Sequence, residues 1–389
     1  MKSSRFNSKL EAIAPSKLKI DYALTRKEGV ISLSIGEPDF ETPWDIEQAG
    51  ISSVQNGYTF YADGLGLPVL RKDIAKYLSR HYGLNYDANS EILVSVGASE
   101  AIDLTLRSLL NDGDEVIIPS PGYVSYAPLV QLAGGKVVNV PLKEQQGFRL
   151  QADDLEKVIT PKSKLLILNY PHNPTGAILE KKDAEAIAKV VIKHDLLVLD
   201  DEIYAELTYG KAPFSIASLP NMKERLIYIS GFSKAFAMTG WRLGYVCAPN
   251  DILSRLAKIH GVSMLAAPTI SQFAAVEALE HGEDETSKMR EAYNARRLFL
   301  VKALSDLGLS CFVPEGAFYV FPNISRTGLS SDAFVCTLFA EEKLLLISGT
   351  AFGEAGEGYV RISYAYSLEI IKEAMKRLAH FLKAHPLQA

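Results

Sequence analysis

The sequence predicts an α/β protein: a large domain built on a mostly parallel sheet covered by helices, followed by a smaller α+β domain. Three observations predict it. From Ile92 to Val246 short apolar runs alternate with helical patterns, which is how strands joined by crossover helices read. After Pro249 long helical patterns take over as far as Leu307, and the last stretch holds the strand-like segments "GAFYVFPNI", "LLLISG" and "GYVRISYA". The 389 residues also exceed what one core organises, since single cores stop growing at roughly 250–300 residues.

Taken in order, the predicted strands are 92–96, 115–119, 136–140, 164–169, 196–200 and 226–230. Amphipathic helices are expected between them, for example over 98–110 and 181–194, where apolar residues recur at helical spacing. The expected domains are 46–285 for the large one and 1–45 with 286–389 for the small one, the segment before Trp44 packing with the latter.

Composition narrows the function. The chain is 48% hydrophobic and 22% charged, an ordinary globular balance, and its net charge of -5 offers no electrostatic footprint for nucleic acid or an anionic membrane. Three scattered cysteines, Cys247, Cys311 and Cys336, form neither a disulfide framework nor a CxxC pair. None of the seven histidines shows metal-ligand spacing, so no metal is expected. With no signal peptide and no apolar run near the roughly 20 residues that span a bilayer, a cytoplasmic protein acting on small molecules is expected.

Ligands of open α/β sheets bind beyond the carboxyl ends of the strands, so the residues just after each run are the informative ones. They are Gly97-Ala98-Ser99, Tyr123, Asn169 with Asn173, Asp201 with Tyr204, and Ser230 to Lys234. In "SVGASEAIDL" a glycine turn opens a helix whose first N–H groups suit an anion; taken alone, a plain N-cap at Ser99 is the commoner explanation. Arg242 in "TGWRLG" can add a bidentate partner for a phosphate. "NYPHNPTGA" is a stiff loop that presents Asn173, while His172 reads as a solvated loop histidine. "LLVLDDEIYAEL" ends a strand in acids: Asp200 and Glu202 read as meeting solvent, Asp201 as a partner for a buried cation with Tyr204 in reach.

Lys234 discriminates. A free lysine amine, with a pKa of about 10.4, reacts at neutral pH only if its site neutralises it or holds it as an imine. A phosphate site, an aspartate for a protonated ring nitrogen, an Asn/Tyr pair for a phenolic oxygen and an imine-forming lysine describe one ligand, pyridoxal 5'-phosphate.

With these pieces in place, the chain resembles the fold-type I, class I aminotransferases of the aspartate/aromatic aminotransferase family. "GFSKAFAMTGWRLG" is similar to the family's lysine signature, and "IGEPDF", "GASEAI", "NPTG", "DEIY" and "VRISYA" occur in the family's order from Ile31 to Tyr366. The resemblance implies that Lys234 forms the imine and shuttles the substrate's α-proton, and that Asp201 pairs with the ring nitrogen. Asn173 and Tyr204 would bind the ring oxygen; Ala98, Ser99, Ser233 and Arg242 would hold the phosphate; Tyr123 would stack on the ring. Arg361 would take the substrate's α-carboxylate with Gly36 and Asn173 nearby. Tyr61 would be donated across a homodimer with composite sites, and the reaction would run as ping-pong half-reactions with 2-oxoglutarate as acceptor.

Many aspartate-active relatives carry tryptophan at the position of Tyr123, and one aspartate-specific branch carries lysine at that of Ser99. The change at Tyr123 preserves stacking, but the missing cation at Ser99 favours aromatic or broad amino donors over aspartate, with Lys17 or Lys19 as a substitute cation if aspartate is used. Alternatives are an N-acetyl-diaminopimelate aminotransferase and a carbon–sulfur lyase. A transcription regulator of this fold would need a DNA-binding module before Ile31. A nicotinamide dehydrogenase would need a strand ahead of "GLGLPVL" and a third glycine.

Overall fold

The computed structural model describes residues 7–11, 13, 27–211 and 214–388, so Lys17 and Lys19 lie outside the described residues. After a short strand β1 (Ile31–Ser32), the chain lays down β2 (Ile92–Ser95), β3 (Glu115–Ser120), β4 (Lys136–Pro141), β5 (Ser163–Asn169), β6 (Leu197–Asp201), β7 (Leu226–Gly231) and β8 (Gly244–Cys247). The last seven form one sheet in the order β2-β8-β7-β6-β5-β3-β4. All six predicted runs are strands. β8 is an addition, and it runs antiparallel to both β2 and β7 in an otherwise parallel sheet.

Apolar side chains leave the two faces of these strands alternately, so each face acquires its own core. Val116, Ile118, Leu165, Ile167, Leu199, Ile227 and Ile229 pack with Ile102 and Leu106 of the helix Gly97–Leu109. On the opposite face Ile117, Leu166, Leu168, Val198 and Leu226 pack with Ile187 and Val191 of the helix Lys181–Lys193. Truncating one of these residues to alanine is expected to cost about 2–5 kcal/mol, because a fully surrounded side chain leaves a cavity.

A second body follows the helices Asn250–Ser263 and Thr269–His281. The strands β9 (Tyr319–Val320), β11 (Ile347–Ser348) and β12 (Val360–Ser363) form an antiparallel sheet ordered β11-β12-β9. The helices Glu283–Asp306, Ser331–Glu342 and Leu368–Ala384 cover it around Phe318, Phe334, Ile362 and Phe381. β1 pairs in parallel with β10 (Leu344–Leu345), which ties the N-terminal segment to this body.

Candidate active site

A cavity of ≈ 230 Å³ lies beyond the carboxyl ends of β2, β5, β6 and β7, closed from the other side by Gly36, Tyr319 and Arg361. Ala98, Ser99, Tyr123, Asn173, Asp201, Tyr204, Ser233, Lys234 and Arg242 all line it, with Gly36 and Arg361. Tyr61 is the predicted residue that the fold does not bring there; it is 82% exposed and outside its own chain's cavity.

The stretch with Lys234 and Arg242 is the loop of a β7–β8 hairpin. Gly231 pairs with Gly244 at its neck, and the Phe232 N–H donates to Leu243 O. The neck also touches the helix Gly97–Leu109: a Cβ on Gly244 would fall 2.5 Å from the Ala98 nitrogen. Gly97, at φ +75°, leaves room for the Arg242 guanidinium, since its Cβ would lie 2.7 Å from Nη2. A helix N-terminus and an arginine therefore meet at one end of the cavity, a pair suited to a phosphate. Arg242 itself is exposed, sits at φ +55° and donates through Nη1 to Thr239 O at 3.1 Å.

Lys234 is partly covered and donates from Nζ to Gly36 O at 2.7 Å. Burial, reinforced by the positive charges of Arg242 and Arg361, lowers its pKa to about 8 against the opposing pull of Glu37 and Asp201. The loop is braced at Thr239, whose hydroxyl donates to Glu37.

Asp201 ends β6 facing the cavity. Burial raises its pKa to about 6, although Tyr126 Oη donates to Oδ2 at 2.6 Å and the Ile203 N–H to Oδ1 at 3.3 Å. A buried carboxylate with that history gains most from a cationic partner on its open side. Asn169 fixes the local spacing: its Nδ2 donates to Asp201 O at 2.8 Å, and its Oδ1 accepts from the Asn173 N–H at 3.1 Å.

At the far end Arg361, 4% exposed, donates through Nη1 to Asn173 Oδ1 at 3.0 Å and through Nη2 to Ser34 O at 2.6 Å. Its guanidinium lies 4.4 Å from the Tyr319 ring centroid and 4.9 Å from that of Phe352, while Nε has no hydrogen-bond partner. A buried guanidinium with an orphaned N–H invites a carboxylate. Tyr204 Oη hydrogen-bonds Tyr319 Oη at 2.7 Å.

Three expectations need correction. His172 is buried, not solvated: it bonds Thr175 Oγ1 through Nδ1 at 2.8 Å, and desolvation lowers its pKa to about 3. Asp200 and Glu202 do not meet solvent either, being 3% and 4% exposed, because the end of β6 is covered rather than open. The sequence also gave no sign of Tyr126 and Tyr319. Tyr126 reaches Asp201 across 75 positions and Tyr319 reaches Tyr204 across 115, separations that local motifs do not encode.

The fold and the site together define a transaminase, and comparison with known proteins agrees. The profile described as "Aminotransferase class I and II" matches residues 28–378, and the chain belongs to that family. It is 47% identical to a putative aminotransferase of Bacillus subtilis over 98% of this chain and 99% of that protein. An aspartate aminotransferase of Pyrococcus abyssi is 45% identical over 98% of this chain and 99% of its own length. The crystal structure of an aromatic aminotransferase from Pyrococcus horikoshii superposes with a TM-score of 0.92 at 44% identity, covering 97% of this chain and 98% of that one. The family's members depend on pyridoxal 5'-phosphate, and this chain is a pyridoxal-phosphate-dependent aminotransferase. The residues present fit the cofactor: an amine of lowered proton affinity, a buried carboxylate and an anion cradle that a Cβ at Gly97 would fill all open on one cavity. Among the described residues, no group of three or more His, Cys, Asp or Glu could hold a metal ion, and no helix is long and apolar enough to cross a membrane.

Proposed function

We propose that the chain moves the α-amino group of an L-amino acid, aromatic or broad in range, to a 2-oxo acid such as 2-oxoglutarate, in two half-reactions that alternate on one site. The observation that carries the reading is the placement of Lys234 in a cavity with a separate arginine toward each end, Arg242 and Arg361. Pyridoxal phosphate, when bound, supplies the electron sink that makes the substrate's α-proton removable. The protein does the rest.

Arg242, the free N–H groups of Ala98 and Ser99, and the Ser233 hydroxyl hold the phosphate. Tyr123 packs on the ring, and Asp201 holds a proton at the ring nitrogen. Asn173, whose carbonyl is engaged by Arg361, offers its amide nitrogen to the ring oxygen, with the Tyr204 hydroxyl beside it. Arg361 fixes the substrate's carboxylate with the Asn173 and Gly36 region nearby. Lys234 Nζ then takes and returns the α-proton, a task that suits an amine with a pKa of about 8 better than one near 10.

The aromatic preference rests on the walls. Among the described residues the cations lining the cavity are Lys234, Arg242 and Arg361, each already assigned, while Ile102, Ile203 and Tyr319 offer apolar surface to a side chain. The seven-stranded sheet, whose strands all lie within 46–285, and the three-stranded sheet, whose strands all lie within 286–389, support the division into 46–285 and 1–45 with 286–389. A homodimer completed by Tyr61 is supported by the exposure of Trp44, Phe60 and Tyr61, at 68%, 82% and 82%. The test is a screen of single amino acids against the loaded enzyme, read by loss of the visible band. Phenylalanine or tyrosine should discharge it faster than aspartate; the reverse order would sink the aromatic reading, and Lys234→Ala should abolish the band itself.

A further inference from the structure

Tyr319 does more in the cavity than form part of its wall. It is buried, comes from the three-stranded sheet, and meets side chains from both bodies of the protein. Its place follows from strand register. β9 and β12 are antiparallel with Tyr319 opposite Ser363, so Arg361, two residues from Ser363 on the same face, is its diagonal neighbour. That brings the guanidinium 4.4 Å from the ring centroid, within the range of a cation–π attraction. The other end of the ring reaches the large domain: Oη bonds Tyr204 Oη at 2.7 Å, in a space that Gly36 leaves open, since a Cβ there would fall 2.0 Å from Oη.

Two hydroxyls carry two protons, and the bond between them uses one. Burial holds both phenols above the usual tyrosine range, so both protons are present near neutral pH. Among the described residues each hydroxyl has the other as its hydrogen-bond partner, so one proton is left for a ligand. Charge decides which. Arg361, lying against the Tyr319 ring, favours loss of the Tyr319 proton and makes that hydroxyl the better donor. Tyr319 therefore donates and Tyr204 accepts, which leaves the Tyr204 proton for the cavity that both residues line.

We propose that Tyr319 is a positioning residue of the transaminase site: its ring steadies Arg361 for the substrate's carboxylate, and its hydroxyl fixes that of Tyr204 as a donor to the cofactor's ring oxygen. The second task rests on the proposed placement of Tyr204 at that oxygen. A hydroxyl held in this way needs no further ordering when the cofactor enters. Released, it is free to turn; the ring oxygen then keeps more negative charge and raises the proton affinity of the lysine nitrogen beside it. The two tasks use different atoms of one side chain, so substitution can separate them.

The bond itself is tested without cofactor, by a double-mutant cycle on the Tm of the apoprotein. Tyr204→Phe and Tyr319→Phe remove the same bond, so their losses should not add; additive losses would overturn it. In the loaded enzyme, Tyr319→Phe should move the pH midpoint of the visible band up by about half a unit, a fraction of one hydrogen bond, and leave KM for the best amino donor nearly constant. Tyr204→Phe should move the midpoint further. Tyr123, Asp201, Lys234, Arg242 and Arg361, which line the same cavity, are unchanged in these variants, so the shift reads the hydroxyls. Tyr319→Leu should shift the midpoint as Tyr319→Phe does and also raise KM by about 3- to 30-fold, the size of a lost cation–π contact. An unmoved or lowered midpoint in Tyr319→Phe, beside a raised one in Tyr204→Phe, would overturn the task of the hydroxyl. A KM raised threefold or more in Tyr319→Phe would overturn the separate task of the ring, whether or not the leucine variant folds. If Tyr204→Phe also leaves the midpoint in place, the proposal falls with the placement of Tyr204, while a visible band that Lys234→Ala abolishes keeps the aminotransferase reading standing.

Discussion

The two arginine ends of the cavity are built on opposite plans. Arg361 is buried, held by Asn173 and by Ser34 O, and layered against Tyr319 and Phe352. Arg242 is exposed, has one carbonyl partner in Thr239, and owes its direction to a left-handed backbone in the hairpin loop. The difference follows what each end would hold. A resident cofactor helps to order its own cradle and does so once. A substrate that leaves every turnover must find its guanidinium already fixed, because ordering it anew would cost affinity each time.

The contrast can be broken by exchange of effects. Arg361→Ala should have the largest, lowering kcat/KM for the amino acid by about 30- to 5,000-fold, or roughly 2–5 kcal/mol, with the visible spectrum of the loaded enzyme unchanged. Lysine should not rescue it, since the two-pronged geometry is lost. Arg242→Ala should instead weaken cofactor retention by about 10- to 150-fold, or roughly 1.5–3 kcal/mol, read by dialysis, with KM for the amino acid nearly constant at saturating cofactor. If Arg361→Ala bleached the enzyme while Arg242→Ala raised KM, the two ends would have been assigned the wrong way round.

Smaller changes sharpen the comparison. Gly97→Ala strains a positive φ and crowds Arg242, so a loss of about 1–2 kcal/mol is expected, read as a lower Tm and faster cofactor loss. Gly36→Ala strikes Tyr319 Oη and should raise KM for the amino acid instead. A last effect expected is one of pH on the apoprotein. The folded pKa of Asp201, about 6, lies above its ordinary 3.8, so its contribution to stability is fully present below 3.8 and is lost as pH rises through 6. Asp201→Asn should flatten the decline of apoprotein Tm across that window; an equally steep decline in the variant would show that Asp201 is not its source.

The large sheet was legible because its strands are continuous apolar runs ending in polar residues, and the site was legible because those ends converge. β8 escaped because "GYVC" follows directly on the Arg242 turn and reads as its continuation, although register with Gly231 makes it a strand. Asp200 and Glu202 were misread for a related reason. A strand end usually meets solvent, but here the helix Pro68–Tyr82 and Tyr86 close it off, and nothing local to β6 announces a cover arriving from more than a hundred positions away.

The N-terminal passage beside β1 has a further consequence for how the enzyme comes into being. Ser34 O anchors Arg361 and Gly36 O anchors Lys234, contacts that span 327 and 198 positions. Segments from both ends of the polypeptide must therefore be present before Lys234 and Arg361 are held. During synthesis the parallel sheet can assemble while its residues emerge, but the reactive centre waits for β10 and β12. The nascent chain carries Lys234 for more than a hundred residues before the segment that holds its amine is itself pinned by β10.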